Sequence, residues 1–400
     1  MGKKQTENAM PATSGGISGI SMSGISVRPV SGRRELAAFI RLPRAIHADD
    51  PAWVPPLDVD MRMRLSKKQP YFQHAEGALF IAWRGEEPVG RITAQIDRLH
   101  LQRYDDATGF FGFLEGQDDP AIFRALLKAA AEWLRARGMR RMRGPFSWSI
   151  NQESGLLVDG FDTPPAVMMG HARPWYARHV EAAGLRKVMD LIAYDFHPGM
   201  RPPEKMRAFI RRLKERGDLK VRPLNRRRFR DELNLIMDIF NDAWSENWGF
   251  IPFTEAEIRQ MAQELRLLVE DHDVAIAEWK GEPAAMTVVM PDINRLIADF
   301  DGRLLPFNWL RLIYRLKFSR APKRMRMPLM GVRRKFQNTV TGAALALAVI
   351  EEVNEYHHAK GFAGAELSWI LETNTGVRKI IESIGAIPYK TYRIYEADIA

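Results

Sequence analysis

An α/β (α+β) chain of two tandem modules, each a mixed, twisted sheet flanked by helices, is what this sequence predicts, on three observations. The first is a βαβ unit late in the chain. A strand over 327–332 leads through a polar, basic loop into a helix opened by Gly342, which turns Leu345, Val349, Ile350 and Val353 to one face. It stops near Gly361 before an alternating strand over 365–371. The second is self-similarity at an offset near 200. Ile81-Ala-Trp-Arg-Gly-Glu-Glu-Pro88 is answered by Ile276-Ala-Glu-Trp-Lys-Gly-Glu-Pro283, and Val180-Glu-Ala-Ala-Gly184 by Ile381-Glu-Ser-Ile-Gly385. The third is a helix over 121–137, with Ile122, Phe123, Leu126, Trp133 and Leu134 inward and Gly138 as its stop, which occupies in the first half the place of the Gly342 helix in the second.

Composition narrows the function classes. Four hundred residues with 46% apolar content can fill two ordinary domains, and no apolar run has the length of a bilayer span. The absence of cysteine excludes disulfides, zinc thiolates and a thiol nucleophile. Nine histidines show no His-Glu-x-x-His spacing, and no metal is expected. Residues 1–26 are rich in Gly and Ser with few large side chains and read as a disordered tail, and without a signal-peptide core the expected location is cytoplasmic. The halves then span 27–200 and 220–400.

The net charge of +10 is concentrated. From Arg303 to Lys335 there are eleven Lys or Arg and no Asp or Glu, so the expected partner is anionic. Within 303–328 the stretch around Trp309 has the character of a helix lying in a membrane surface. Asn308, Arg311 and Arg315 share a face with Lys323 and Arg324 following, and an anionic inner membrane face is the expected partner. Aromatics amid arginines also suit RNA, but Phe307 to Tyr314 gather on one apolar face, so no nucleic acid is expected.

The two helix starts differ in kind. A helix N-terminus carries unbonded N–H groups and partial positive charge, so a loop adding Arg333, Arg334 and Lys335 suits a phosphorylated ligand. In the first half Asp118 and Asp119 occupy the equivalent place and repel phosphate. Each half also carries an insertion expected to border the site: the basic segment in the second half, and in the first the stretch from Gly144 through Gly160, with Ser147, Asn151 and Glu153. Trp244, Glu246, Asn247 and Trp248 cluster where an amphiphile with a polar head would be gripped.

The order of elements in each half, with the glycine turn after the last helix, resembles the GNAT acyltransferase fold, and two copies resemble the arrangement of N-myristoyltransferases and Fem-type peptidyltransferases. That resemblance makes Arg334, Lys335, Gln337, Thr341, Gly342 and Ala343 an irregular version of the GNAT pyrophosphate loop. It also puts Glu372, as base or amine anchor, and Asn374 beside the reacting thioester. The tyrosine that GNAT enzymes often use as acid is replaced by Ile381 and Val180, leaving Tyr392, Tyr395 or water. Phe110-Phe-Gly-Phe-Leu-Glu115, Gly155-Leu-Leu-Val-Asp-Gly-Phe161, Trp244 through Phe250 and Ser368-Trp-Ile-Leu-Glu372 resemble the bacterial ceramide synthases. The implied reaction moves a fatty acyl group from acyl-CoA or an acyl carrier protein, as co-substrate and with no tightly bound cofactor, to a long-chain amine. Backbone N–H groups near Val332 would stabilise the oxyanion. The alternatives are a Fem-type or other small-amine transferase and, in another class, a non-catalytic scaffold binding lipid or nucleic acid.

Overall fold

The computed structural model describes residues 20–22, 24–319, 321 and 323–400. Its strands are β1 (Ile20–Met22), β2 (Ile25–Pro29), β3 (Ala75–Arg84), β4 (Glu87–Asp97), β5 (Thr108–Gly116), β6 (Arg141–Gly144), β7 (Leu156–Asp159), β8 (Arg186–Phe196), β9 (Leu219–Pro223), β10 (Val274–Trp279), β11 (Glu282–Pro291), β12 (Arg324–Val332), β13 (Gly364–Leu371) and β14 (Ile387–Asp398). They form one sheet in the order β1-β2-β3-β4-β5-β6-β14-β8-β13-β12-β11-β10-β9, with β7 on β14. Only β5 with β6 and β12 with β13 run parallel, once in each half.

Each parallel pair is joined by a helix that the local sequence specifies. In the first half Asp119 caps the helix Pro120–Arg135 by accepting from Ala121 N (2.8 Å), and Pro120 fills the first turn. In the second, Thr339 Oγ1 accepts from Gly342 N (3.0 Å) to open the helix Val340–Ala359, which buries Leu345, Val349, Ile350 and Val353.

The halves trade their last strands. β14 lies between β6 and β8, and β8 lies between β14 and β13, so each half's final strand completes the other's sheet. The cores follow: Tyr392, Ile394 and Tyr395 of β14 pack with Phe111, Leu134 and Met142, while Tyr194 and Phe196 of β8 pack with Met325, Leu345 and Leu367. Ion pairs cross the seam, including Arg143 to Glu396 (2.6 Å) and Arg393 to Asp190 (2.8 Å). The helix Glu204–Glu215, between the two expected modules, buries Ile210 and Leu213 in the second core.

Part of the stretch expected as a tail is strand: β1 pairs with β2, and Ile25 is buried in the first core; residues 1–19 lie outside the described residues. No helix of the described residues is long and apolar enough to cross a membrane.

Candidate active site

The parallel strands of each half separate part-way along and leave a notch. β12 and β13 pair from Arg324 with Gly364 to Met327 with Leu367 and then diverge at Pro328 and Ser368. β5 and β6 pair only from Thr108 with Arg141 to Phe110 with Arg143.

In the first half the notch is filled by the chain itself. Phe146 N donates to Phe111 O (2.7 Å), and a Cβ on Gly112 would lie 1.8 Å from Phe146 O, so only glycine admits the segment. Trp148, 2% exposed, then packs edge-on to Phe113 and Phe72, with Nε1 donating to Arg64 O (2.9 Å). In the second half the notch is open. Trp369 and Trp244 stand edge to face at its mouth with centroids 5.7 Å apart, and Trp244 Nε1 donates to Met330 O (2.9 Å).

A cavity of about 550 Å³ extends from this open notch between the halves. Pro328, Leu329, Arg326 and Trp369 line its notch end, and apolar side chains from both halves line the rest, among them Trp53, Met61, Met169, Phe253, Met261 and Ile297. Methionine-rich walls adapt to flexible apolar ligands.

Polar groups enter at two places. From the first half, Arg64 meets Glu153 (2.6 Å); burial would raise that carboxyl's pKa, but Arg64 outweighs it and holds it below the ordinary range. At the notch end the buried Arg326 donates to Ser368 Oγ (3.0 Å) and Val167 O (2.5 Å) and lies 3.9 Å from Glu366. Beside them the segment 167–171 lines the cavity and ends at His171, whose Nε2 is 2.9 Å from Asp50 Oδ2. Asp292, which accepts from Val167 N, is pushed up to about 6 by desolvation.

His47, Asp50 and His171 bring ligand-type atoms within 4.8 Å of one another, the one such group among the described residues. Arg173 stands 3.5 Å from Asp50 and opposes a cation there.

The expected acceptor residues divide. Trp244, Ser147, Asn151 and Glu153 line the cavity, and Asn151 Nδ2 ties the insertion to Ile251 O (3.0 Å). Glu246 instead pairs with Arg334 (3.1 Å), Asn247 closes a turn by donating its N–H to Trp244 O (2.8 Å), and Trp248 stacks under Arg143.

The expected catalytic residues do not line the cavity. Glu372 bonds Lys187 (2.8 Å) and Asp190 N (2.9 Å), fixing β13 to β8; Asn374 caps the helix Thr375–Ser383; Tyr395 is buried on β14 and donates to Glu181 (2.9 Å). For Glu372 and Tyr395 the strand exchange supplies the partners, since it brings β8 beside β13 and β14 beside the first half; Asn374 is held by its own helix.

At the expected donor loop Gly342 is required by close approach, because a Cβ there would lie 2.0 Å from Phe336 O. Thr341 and Ala343 flank it in the first turn, and Gln337 Nε2 donates to Val332 O and Ala243 O (both 2.9 Å). The loop is less cationic than its sequence. Arg333 pairs with Asp238, Arg334 with Glu246 and Lys335 with Glu282 (2.6 Å), acids contributed by distant elements.

The expected membrane cations are also tied to partners. Arg311 and Arg315 close on Asp299, Lys323 donates to Leu316 O and Arg324 pairs with Asp195, because the turn before the helix supplies Asp299 and β8 supplies Asp195. Large apolar side chains face outward among them: Leu305, Phe307, Leu310, Tyr314 and Phe318 are each at least half exposed, and Trp309 is 42% exposed.

No family model matches the chain. It is 43% identical over 387 residues to Protein YghO of Escherichia coli K12, covering 95% of this chain and 97% of that one. It is also 43% identical over 374 residues to the bacterial ceramide synthase of Caulobacter vibrioides, covering 93% and 97%. Among solved structures, a tandem GNAT protein from the clavulanic acid biosynthesis pathway aligns with 94% of the chain and 99% of its own (TM-score 0.54, 14% identity). A GCN5-related N-acetyltransferase from Sphaerobacter thermophilus aligns with 94% and 96% (TM-score 0.51, 14% identity). With a tandem GNAT fold and a near full-length relative of that kind, the chain belongs to the family of N-acyltransferases that includes the Caulobacter ceramide synthase.

Proposed function

We propose that this N-acyltransferase moves a fatty acyl group from acyl-CoA or an acyl carrier protein to a long-chain amine of the sphingoid type, forming a ceramide-type amide at an anionic membrane surface. The observation that carries the reading is the apolar cavity running from the open notch of the second half. A thioester arm entering past Thr339 and Gly342 reaches Trp369 through the notch, and two hydrocarbon chains need walls such as Met61, Met169 and Met261. The donor's phosphates sit at the start of the helix Val340–Ala359, where Arg333, Arg334 and Lys335 exchange their carboxylates for the ligand. A small-amine transferase would not need a cavity of this length and apolarity.

The exposed apolar face from Leu305 to Phe318 supports delivery from a bilayer. Leu312 on its inner side packs beside Val54, Leu57 and Ile297, and these three line the cavity. Lys317 and Arg303 flank it and suit anionic headgroups.

The test is to incubate purified protein with acyl-CoA, or separately with acyl carrier protein, and amines from short to long chain, with mass spectrometry of the amides. Long-chain amides are expected; amides from small amines alone would favour the Fem-type reading, and none at all a scaffold. Replacing Phe307, Leu310 and Phe318 by Ser should abolish flotation with anionic liposomes, and unchanged flotation would remove the membrane part.

A further inference from the structure

We infer that Arg326 donates from Nη2 to the thioester carbonyl oxygen and holds the oxyanion that forms there when the amine attacks. The inference rests on the amide-forming reading above and names the residue that receives the developing charge.

Position carries it. β12 and β13 pair as far as Met327 with Leu367, so an arm lying between the parted strands runs no further than that rung. Its reactive end then stands one residue from Arg326. Side chains two apart on a strand share a face, and Arg326 and Pro328 both line the cavity at this end. Arg326 also reaches across to β13, where Nε donates to Ser368 Oγ (3.0 Å), the residue before Trp369 at the notch mouth.

The outer edge of the guanidinium is the part beside the cavity. Nε faces Ser368, which is off the cavity wall, whereas the Nη partners, Val167 O (2.5 Å) and Met169 Sδ (3.1 Å), belong to residues that line it. Nη2 has the poorest partners of the three nitrogens. Its contacts are a thioether sulfur, which accepts weakly, and Ser368 O at 3.4 Å. A cationic donor buried to 3% exposure gains far more from an anionic oxygen than from sulfur.

The charge is also held in place. Glu366, fully buried, stands 3.9 Å from Arg326 and accepts from Ser368 Oγ and Tyr389 OH. A donor fixed in advance on two sides needs no reorganisation as charge appears on the substrate. Clamping β13 to the 167–169 segment uses Nε and Nη1 and leaves Nη2 over.

In the step, the lone pair of the free amine forms the N–C bond while the carbonyl π pair moves to oxygen, where Nη2–H donates without giving up its proton. Collapse of the oxyanion restores the carbonyl and breaks the C–S bond. The electron pair leaves on sulfur, which takes up the proton shed by nitrogen, giving amide and thiol.

The experiment compares wild type with Arg326→Lys and with Arg326→Gln joined to Glu366→Gln, a pair that strands no buried carboxylate, in the amide assay with melting temperatures. Both variants should lower kcat about 10²-fold or more with both KM values little changed, and guanidinium at low millimolar concentration should restore part of the activity of Arg326→Ala. A second readout is direct binding of two unreactive donor analogues, on whichever carrier supports the reaction. One is a ketone with a methylene between sulfur and carbonyl, and the other is the matching S-alkyl compound with no carbonyl. Wild type should prefer the ketone severalfold, as a charged hydrogen bond provides, and the variants should lose that preference. Should the double variant fail to fold, Arg326→Lys carries the test. A lower melting temperature with kcat and ketone preference intact would make Arg326 a clamp alone and overturn the inference while leaving the proposed function standing. A wild type that forms no amide would remove the proposed function and this inference with it.

Discussion

The two notches of this molecule are built from the same parts and differ in what fills them. Beside β5 and β6 the chain inserts Phe146 and Trp148 into its own gap, and acidic Asp119 starts the following helix. Beside β12 and β13 the gap stays open onto the cavity, and a threonine cap with three cations starts the helix. One copy fills its own notch, and the other leaves its notch open onto the cavity. The copy with the filled notch still supplies much of the cavity, including His171, Glu153 and Trp53, so the cavity wall is shared across the seam rather than confined to one module.

The sharpest way to break this comparison is to cut back the aromatic at each notch. Trp148→Ala removes a buried plug and should cost about 3–5 kcal/mol of stability, read as a large fall in melting temperature. Trp244→Ala, half-buried at the open notch, should cost less than half of that fall but lower kcat/KM at least about tenfold, or ~1.4 kcal/mol of transition-state binding. Equal losses of stability with no difference in activity would mean the notches are not distinct.

A smaller effect sharpens the electrostatic half of the contrast. Arg334→Gln with Lys335→Gln should raise the donor's KM severalfold, by about 1 kcal/mol, and more at low salt than at high. Arg84→Gln, which removes the partner of Asp119 (2.6 Å) at the other helix start, should leave that KM unchanged. A shift from the Arg84 change would put donor phosphates in the first half.

The smallest effect tests how the halves are held together. His74 bridges Asp97 of the first half (3.0 Å) and Glu257 of the second (3.4 Å). Burial alone would lower its pKa, but the two carboxylates win and lift it to about 9 from 6.5. A raised folded pKa stabilises fully below about 6.5 and is lost as pH rises through about 9. The difference in melting temperature between wild type and His74→Gln should therefore shrink across that window. A constant difference would show that the bridge does not titrate.

Particular residues show where sequence reading succeeds. The helix Val340–Ala359 and strands β12 and β13 follow from periodicity, and the Asp119 cap is local chemistry, whereas the later helix, read as opened by Gly342, is capped by Thr339. Trp244, Ser147, Asn151 and Glu153 come together on the cavity wall from two short stretches where aromatic and polar residues gather, one of them an insertion absent from the other half. Glu372, Asn374 and Tyr395 lie off the cavity, and their partners are Lys187 and Glu181 of the exchanged half and, for Asn374, its own helix, pairings that spacing within one module does not show. His171 gave little signal as a cavity residue, because its partner Asp50 lies more than a hundred residues away in the chain.

From its order of residues alone this protein had its two repeated modules, its helix caps, its basic stretch and its acyltransferase likeness, because these depend on contacts within a few residues or on self-similarity. Only the tertiary structure decided which notch stays open, that β8 and β14 change places, which cations are tied to acids and which segments wall the cavity. Those choices depend on burial and pairing between segments far apart in the chain, whose balance no local pattern encodes.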